Sequence, residues 1–200
     1  MALNFCNNNS LSAITSIPTA ISSGALNLIS TQTASSSSTL SFTSGIDSTY
    51  KEYIFKFINI HPSADAPLTF NMSIDGGSNY NVTKTTNSFL AYNAESGGTP
   101  TVGYEAGRDL AQATGFQNIS YDIDNVDDGC TSGFLHLFDP SSTTFVKHFI
   151  ATANTQFPTA YSGAYYSAGY GNTTSAVDAV QFKLSSGTMD SGVIKLYGVS

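Results

Sequence analysis

The stretch from Lys51 to Ile60, KEYIFKFINI, decides the fold class. Its alternate residues point to opposite faces of an extended chain, with Tyr53, Phe55, Phe57 and Asn59 on one and Ile54, Lys56, Ile58 and Ile60 on the other. β-Branched and aromatic residues in a run of this length are typical of a strand, and His61-Pro62 ends the run. The stretch therefore predicts a β-strand.

Similar short runs, separated by Gly, Asp, Pro and Ser turn signals, continue along the chain. They lie at 26–30, 39–44, 68–74, 80–85, 88–93, 116–123, 132–139, 145–152, 179–185 and 192–199. Residues 104–114 predict only a short turn or loop, because Gly107 interrupts a weak helical pattern. Residues 153–172 predict a long loop or loose hairpin. The pattern predicts an all-β fold, an antiparallel β-sandwich or jelly roll.

The composition leaves few charges for the surface of such a sandwich. Of 200 residues, 10% are charged, against about 25% in an average soluble domain. The net charge is −7 and the basic residues are scattered, which argues against the clustered Lys and Arg of nucleic-acid binding. Apolar runs stay well below the roughly 18 residues of a membrane-spanning helix. We expect neither nucleic acid nor a membrane as a partner.

The first 25 residues differ from the rest of the chain. They are rich in Asn and Ser, contain Pro18 and lack both a basic residue and a sustained apolar run, so they do not resemble a secretory signal. We expect residues 1–25 to be an extended arm that is ordered by docking, and residues 26–200 to form one β-sandwich domain. The isolated apolar residues of the arm are candidate interface residues: Leu3, Phe5, Leu11, Ile14, Ile17 and Ile21.

Two histidines and a run of aspartates are the candidates for chemistry. If the strands of His136 and His148 pair as a hairpin, the imidazoles could approach one another, as a metal or proton-transfer pair or as hydrogen-bonded structural residues. The acidic run in YDIDNVDDGC is either a calcium loop or a solvated loop of Asx turns. Its members are Asp122, Asp124, Asp127 and Asp128.

Nucleophile and phosphate-binding motifs are absent from the sequence: it contains no G-x-S-x-G elbow and no P-loop. We therefore expect no enzyme and no cofactor. Two thiols far apart in sequence, Cys6 and Cys130, indicate free cysteines made in a reducing cytosol. Four tyrosines of the predicted loop are candidate interface residues or fold back onto the sandwich, namely Tyr161, Tyr165, Tyr166 and Tyr170.

Two stretches of the second half carry a resemblance to a known group of proteins. They are SGFLHLFDPSSTTFVKHFIA (132–151) and GYGNTTSAVDAVQFKLSSGTMDSGVIKLYG (169–198), and residues 28–62 look like the matching first half. Together they resemble small structural proteins of tailed, notably marine, bacteriophages, over about residues 26–199. The closing VQFKLSSGTMDSGVIKLYG is similar to the final β-hairpin of phage jelly-roll domains in fibre and capsid-decorating proteins.

The resemblance implies a β-sandwich virion component, made in the cytoplasm of the bacterial host, with no catalytic residues to carry over. We expect a capsid decoration (cement) protein that binds the major capsid protein or other virion proteins. A tail or fibre module that binds host glycans through the tyrosines is the alternative. A homo-oligomer, with a trimer among the possible states, fits either role, because a neutral surface suits close packing among many copies.

Overall fold

The computed structural model describes residues 25–200, and the regular structure in that range consists of twelve β-strands. In chain order these are β1 (Leu26–Thr33), β2 (Leu40–Phe42), β3 (Glu52–Pro62), β4 (Leu68–Ser73), β5 (Lys84–Ala94), β6 (Thr101–Tyr104), β7 (Gln117–Asn118), β8 (Thr131–Phe138), β9 (Lys147–Phe157), β10 (Tyr161–Gly171), β11 (Ala179–Leu184) and β12 (Met189–Val199).

The strands form two antiparallel sheets that pack as a sandwich. The large sheet has eight strands in the order β1-β12-β3-β8-β9-β10-β5-β6, and the small sheet has four in the order β2-β11-β4-β7. The predicted all-β antiparallel sandwich is confirmed. The weak pattern at 104–114 contains no helix, and after Tyr104, which ends β6, residues 105–114 are a loop, as predicted.

The core between the sheets is built around aromatic side chains. Phe55 and Phe149 come from the large sheet, and Phe42, Phe70 and Phe182 from the small one, and each is 2% exposed or less. Phe182 packs against Phe42, Phe55 and Phe70 with ring centroids 5.2–6.4 Å apart, and Phe70 meets Phe149 edge-on at 4.8 Å. Such aromatic pairs add about 0.5–1.5 kcal/mol each beyond their buried area.

Consecutive strands repeatedly change sheets. β1 and β3 lie in the large sheet, whereas β2 and β4 lie in the small one. The same change separates β11 from β12, so the predicted closing hairpin is wrong. β12 instead pairs with β1 and β3. The residues at 185–188 are typical of a hairpin turn, but in the structure they connect one sheet to the other.

The small sheet cannot cover the whole inner side of an eight-stranded sheet, and a loop covers the remainder. Arg108 of this loop forms a bidentate ion pair with Asp122, with N–O distances of 3.2 and 2.8 Å. Its guanidinium also lies 4.1 Å from the centre of the Tyr121 ring. Gln117 fastens the loop to β5, because its Oε1 accepts a hydrogen bond from Thr86 Oγ1 at 2.6 Å. The segment 105–123 therefore acts as the lid of the core beneath β5 and β10.

A bulge in β3 corrects part of the predicted face pattern. Tyr53, Phe55 and Phe57 share one face, as predicted, and they point inward and are fully buried. Asn59 has a φ of +50° and lies at a register shift between β3 and β8. The extra residue reverses the alternation, so Asn59 is exposed and Ile60 is buried, opposite to the prediction.

Residues 153–172, predicted as a long loop or loose hairpin, belong to a regular hairpin of two eleven-residue strands, β9 and β10. The segment reads as a loop since it is rich in Gly, Ala and Ser, yet those small residues are required inside. A Cβ at Gly163 would lie 2.5 Å from the Phe157 ring, and one at Gly171 would lie 2.7 Å from Met72 Cε. Close approach of neighbouring side chains therefore explains the composition.

Other strand boundaries also differ from the prediction. Within the run 80–85 the strand begins only at Lys84, and within 116–123 only Gln117–Asn118 is a strand. β6 has no counterpart in the prediction, because a four-residue exposed edge strand has no buried alternation.

A buried lysine closes one end of the sandwich. Lys84 is fully buried, and its Nζ donates to Asn71 Oδ1 at 2.5 Å and to the Val82 carbonyl at 2.7 Å. Asn71 Nδ2 donates in turn to the carbonyls of Tyr80 and Thr114. Burial lowers the pKa of Lys84 to about 7. The pair joins β4 and β5 to two loops through polar contacts inside the protein.

Stability should therefore rise with pH above neutrality. The folded pKa of Lys84 is about 7, whereas an unfolded lysine has a pKa of roughly 10.4. Between these values the unfolded state binds more protons, so the free energy of unfolding increases as pH rises. We expect this increase between about pH 7 and pH 9.5 in urea denaturation, and a smaller slope for Lys84→Met. The control is Lys51→Met, whose side chain is 79% exposed; an equal loss of slope in both variants would contradict the assignment.

The β9–β10 turn offers a second test. Thr159 and Ala160 have φ values of +75° and +64°, a region that costs residues with a Cβ roughly 1–2 kcal/mol. Thr159→Asn/Ala160→Gly should raise the free energy of unfolding by about 1 kcal/mol in chemical denaturation. Ala164→Gly, within β10, is the control and should lower it. A double variant less stable than the parent protein would show that the turn is not strained.

Candidate interaction surface

One whole side of the large sheet faces away from the small sheet, and we call it the outer face. Side chains that lie opposite each other in paired antiparallel strands point to the same side of the sheet. The pairing register therefore shows which residues form each row across the outer face. The central row crosses six neighbouring strands and consists of Leu28, Tyr197, Ile54, His136, Ile150 and Ala168. The flanking row on one side contains Lys195, Lys56, Phe134, Thr152, Tyr166 and Phe89.

The outer face is largely apolar and much of it is open to solvent, although Ile54 in the central row is only 8% exposed. Leu28 is 56% exposed, and Ile58, Phe89 and Phe134 are each about 40% exposed. A typical monomer exposes large apolar residues singly, whereas continuous apolar patches mark interaction sites. A sheet side with this composition is the candidate functional site of the protein.

Aromatic rings on the outer face are held in place by one another. Phe89 and Tyr166 stack with centroids 5.0 Å apart and planes 16° from parallel. His136 lies between Phe134 and Phe138, at 5.1 and 6.1 Å. Rings already ordered in this way lose little side-chain entropy when a partner covers them.

The outer face carries few charges. Glu52 accepts a short hydrogen bond from His136 Nδ1, and Lys56 lies over the Tyr197 ring at 5.4 Å. Lys195 is opposite Lys56 in the ladder. The central row and the two rows beside it, one with Lys56 and Lys195 and the other with Glu52 opposite Phe138, thus hold one carboxylate and two lysines. The net charge of the chain is −7. Most of the acidic residues lie elsewhere.

The four candidate tyrosines divide between the two sides of β10. Tyr166 and Tyr170 point to the outer face, where Tyr170 contacts His148. Tyr161 lies at the end of the hairpin and stacks on Phe157 at 5.2 Å. Tyr165 is fully buried beneath the sheet, and burial raises its pKa to about 12. The prediction of Tyr165 as an interface residue is therefore wrong, since odd-numbered positions of β10 point inward.

The two histidines lie on the outer face but are not directly paired. β8 and β9 form the predicted hairpin, yet His136 is opposite Ile150, and His148 is opposite Tyr170 on β10. His136 makes its polar contact with Glu52. Each imidazole thus has an aromatic or carboxylate neighbour, and both are part of the apolar face.

The aspartate run does not converge on one point. Asp122 is paired with Arg108. Asp124 Oδ1 accepts from the Val126 amide at 3.1 Å, the arrangement of an Asx turn. Asp127 and Asp128 line a small depression. Within residues 25–200, three or more His, Cys, Asp or Glu side chains nowhere gather as metal ligands would. The Asx-turn interpretation fits Asp124, and Asp122 is already neutralised by Arg108.

A shallow trough of about 500 Å³ lies on the outer face near β6. Its floor consists of small residues, including Ala91 and Ala164, and its polar groups come from Asn93, Asn154 and Ser162. Amide and hydroxyl groups beside apolar surface are able to bind a polar ligand such as a sugar.

Six candidate interface residues lie outside the described part of the chain, in the first 24 residues: Leu3, Phe5, Leu11, Ile14, Ile17 and Ile21. Cys6 also lies there, whereas Cys130 is a free thiol, as predicted. The outer face was not predicted from the sequence. The signal for this face lies in KEYIFKFINI, where the residues on both faces of the strand are mostly apolar. A strand that buries only one face needs apolar residues on that face alone.

Fold and surface together define an antiparallel β-sandwich with an apolar sheet side that residues 25–200 leave uncovered. In comparisons with known proteins, no family model matched the chain, and no curated protein or solved structure was significantly similar to it. In residues 25–200, no helix has the length and apolar character needed to cross a membrane.

Two buried tyrosines provide a test of the inward placement of Tyr165. Its hydroxyl is buried and has no hydrogen-bond partner among the described residues, so Tyr165→Phe should not lower the free energy of unfolding and should raise it by up to about 1 kcal/mol. Tyr53 is equally buried, but its hydroxyl donates to the Asp47 carbonyl and accepts from the Asp47 amide, both at 3.0 Å. Tyr53→Phe should lower it by about 1 kcal/mol. An equal loss of stability in Tyr165→Phe and Tyr53→Phe, measured by thermal and urea denaturation, would contradict this distinction.

Proposed function

We propose that this protein is a non-enzymatic structural component of a tailed-bacteriophage particle and decorates the capsid by binding the major capsid protein. The observation that carries the proposal is the outer face, a side of the sandwich with exposed aromatic and aliphatic residues such as Phe134 and Phe89. Such a surface is suited to permanent burial in an assembly rather than to turnover of a small substrate.

Two further features support a virion role. Strands that change repeatedly between two antiparallel sheets are the kind of connection that jelly rolls use, and jelly rolls are common in viral capsid domains. The chain also has few charges that would need pairing at a crowded interface. Both agree with the resemblance of residues 26–199 to small phage structural proteins.

A tail or fibre module that binds host glycans is the second candidate. The trough beside β6 favours it, because Asn93, Asn154 and Ser162 present amide and hydroxyl groups on a wide, open floor. Binding of host-surface polysaccharide by the isolated protein, lost in Asn154→Ala, would favour this function.

The capsid role predicts both a copy number and a need for the N-terminal segment. Protein bands quantified from purified particles should give copies comparable to those of the major capsid protein. Deleting residues 1–25 should leave a folded sandwich that no longer joins particles, because isolated apolar residues bind only when a partner surface compensates the entropy of ordering them. Circular dichroism of the truncated protein checks folding.

Two results would contradict the capsid role. One is full occupancy of particles by the truncated protein, and the other is an intact protein present in tail-like numbers. A reproducible hydrolytic activity that is lost on replacement of His136 or His148 would contradict the non-enzymatic part of the proposal.

A further inference from the structure

We propose that the outer face binds a second copy of this chain face to face, and that the two copies are related by a two-fold axis along the central row. The inference concerns the protein in isolation. The proposed capsid contact uses the same face, so the dimer would have to open before the protein joins a particle.

The outer face is large enough for a stable dimer. It spans eight strands, several of them eleven residues long. Strands lie about 4.8 Å apart and rise about 3.4 Å per residue, so the face measures roughly 1,000 Å², above the roughly 800 Å² per partner of a stable interface. A peptide or a small ligand would leave most of this area exposed.

The charges on β3 are arranged so that the face complements itself. Glu52, Ile54 and Lys56 follow one another on the outer side of the strand, with Ile54 in the central row. A two-fold axis along that row places each strand against its own copy in the reverse direction. Glu52 of one copy then meets Lys56 of the other, and two such contacts form in one dimer.

The aromatic residues follow the same symmetry. Phe134 and Phe138 flank His136 on β8, and Tyr166 and Tyr170 flank Ala168 on β10. The rotation exchanges the two members of each pair, so that rings of one copy lie against rings of the other. Ring-to-ring contact across packed sheets is favourable.

Self-association through this face also avoids electrostatic repulsion. The chain has a net charge of −7, and two such molecules repel when their acidic surfaces meet. The central and flanking rows contain only Glu52 as an acid, with Lys56 and Lys195 beside it. The outer face is thus a large area on which two copies approach without opposing carboxylates.

The first experiment measures the mass in solution by light scattering after size exclusion, at micromolar concentration. The full chain should have twice its own mass of 21.0 kDa. Phe134→Arg/Tyr166→Arg should be a monomer with an unchanged circular dichroism spectrum, because four buried charges oppose pairing. Ile74→Arg is the matched control; Ile74 is 43% exposed and follows β4 of the small sheet, so this variant should remain a dimer.

The second experiment tests the axis with a thiol cross-linker of about 10 Å reach, the spacing of packed sheets. In a Cys6→Ser/Cys130→Ser background, Ala168→Cys lies in the central row and should cross-link two copies in high yield. Ala164→Cys is on the same strand and side, but roughly 13 Å from the axis and so about 26 Å from its own copy. It should not cross-link.

Several outcomes would overturn the proposal. They are a monomeric full chain, a dimer that persists in Phe134→Arg/Tyr166→Arg, and equal cross-linking at both cysteines. A dimer that is lost on deletion of residues 1–24 but kept in the double arginine variant would assign self-association to the N-terminal segment instead. A monomeric chain whose outer face binds only major capsid protein would assign the face to that partner.

Discussion

The fold depends on interlocked phenylalanines at the centre of the sandwich. Phe182 from the small sheet contacts Phe42 and Phe70 beside it and Phe55 across the interface. These contacts fix the position of the four-stranded sheet on one half of the eight-stranded sheet. The other half then needs a further cover, which the loop segments on either side of β7, at 105–116 and 119–123, supply through the ion pair of Arg108 with Asp122. The outer side of the large sheet receives no cover from residues 25–200, so the core packing also determines where apolar surface stays exposed.

Strands were predicted well where bulky apolar residues alternate regularly along the sequence. Strands with bulky inward residues, such as β3 and β8, were predicted nearly at their observed bounds. β10 was predicted only as part of a long loop or loose hairpin, because its inward positions hold Gly163 and Gly171, whose small size is dictated by Phe157 and Met72 on other strands. The bulge at Asn59 and the sheet exchange between β11 and β12 are also nonlocal. Pairing partners decide both, and a single strand does not encode its partners.

The candidate surface was only partly predictable for a related reason. Tyr166 and Tyr170 were identified by residue type, but their division from Tyr165 follows from the strand register of β10. The apolar character of both sides of β3 was visible in the sequence. Within one strand this character indicates only strand propensity, because burial of the second side requires a second molecule or segment. The pairing of Asp122 with Arg108 depends on how the loop folds, and it could not be inferred from the acidic run around Asp122.

The position of β12 has a consequence for how the chain folds during synthesis. β12 lies between β1 and β3, and Leu26 pairs with Val199. When β1 and β3 leave the ribosome, their shared neighbour does not yet exist, so the edge of β3 stays open until residues 189–199 emerge. Contacts between such distant segments make folding slow and leave nascent apolar edges exposed. The sheet is completed in one late step, and a ribosome that stalls before Met189 releases a chain whose large sheet lacks the strand that joins β1 to the rest.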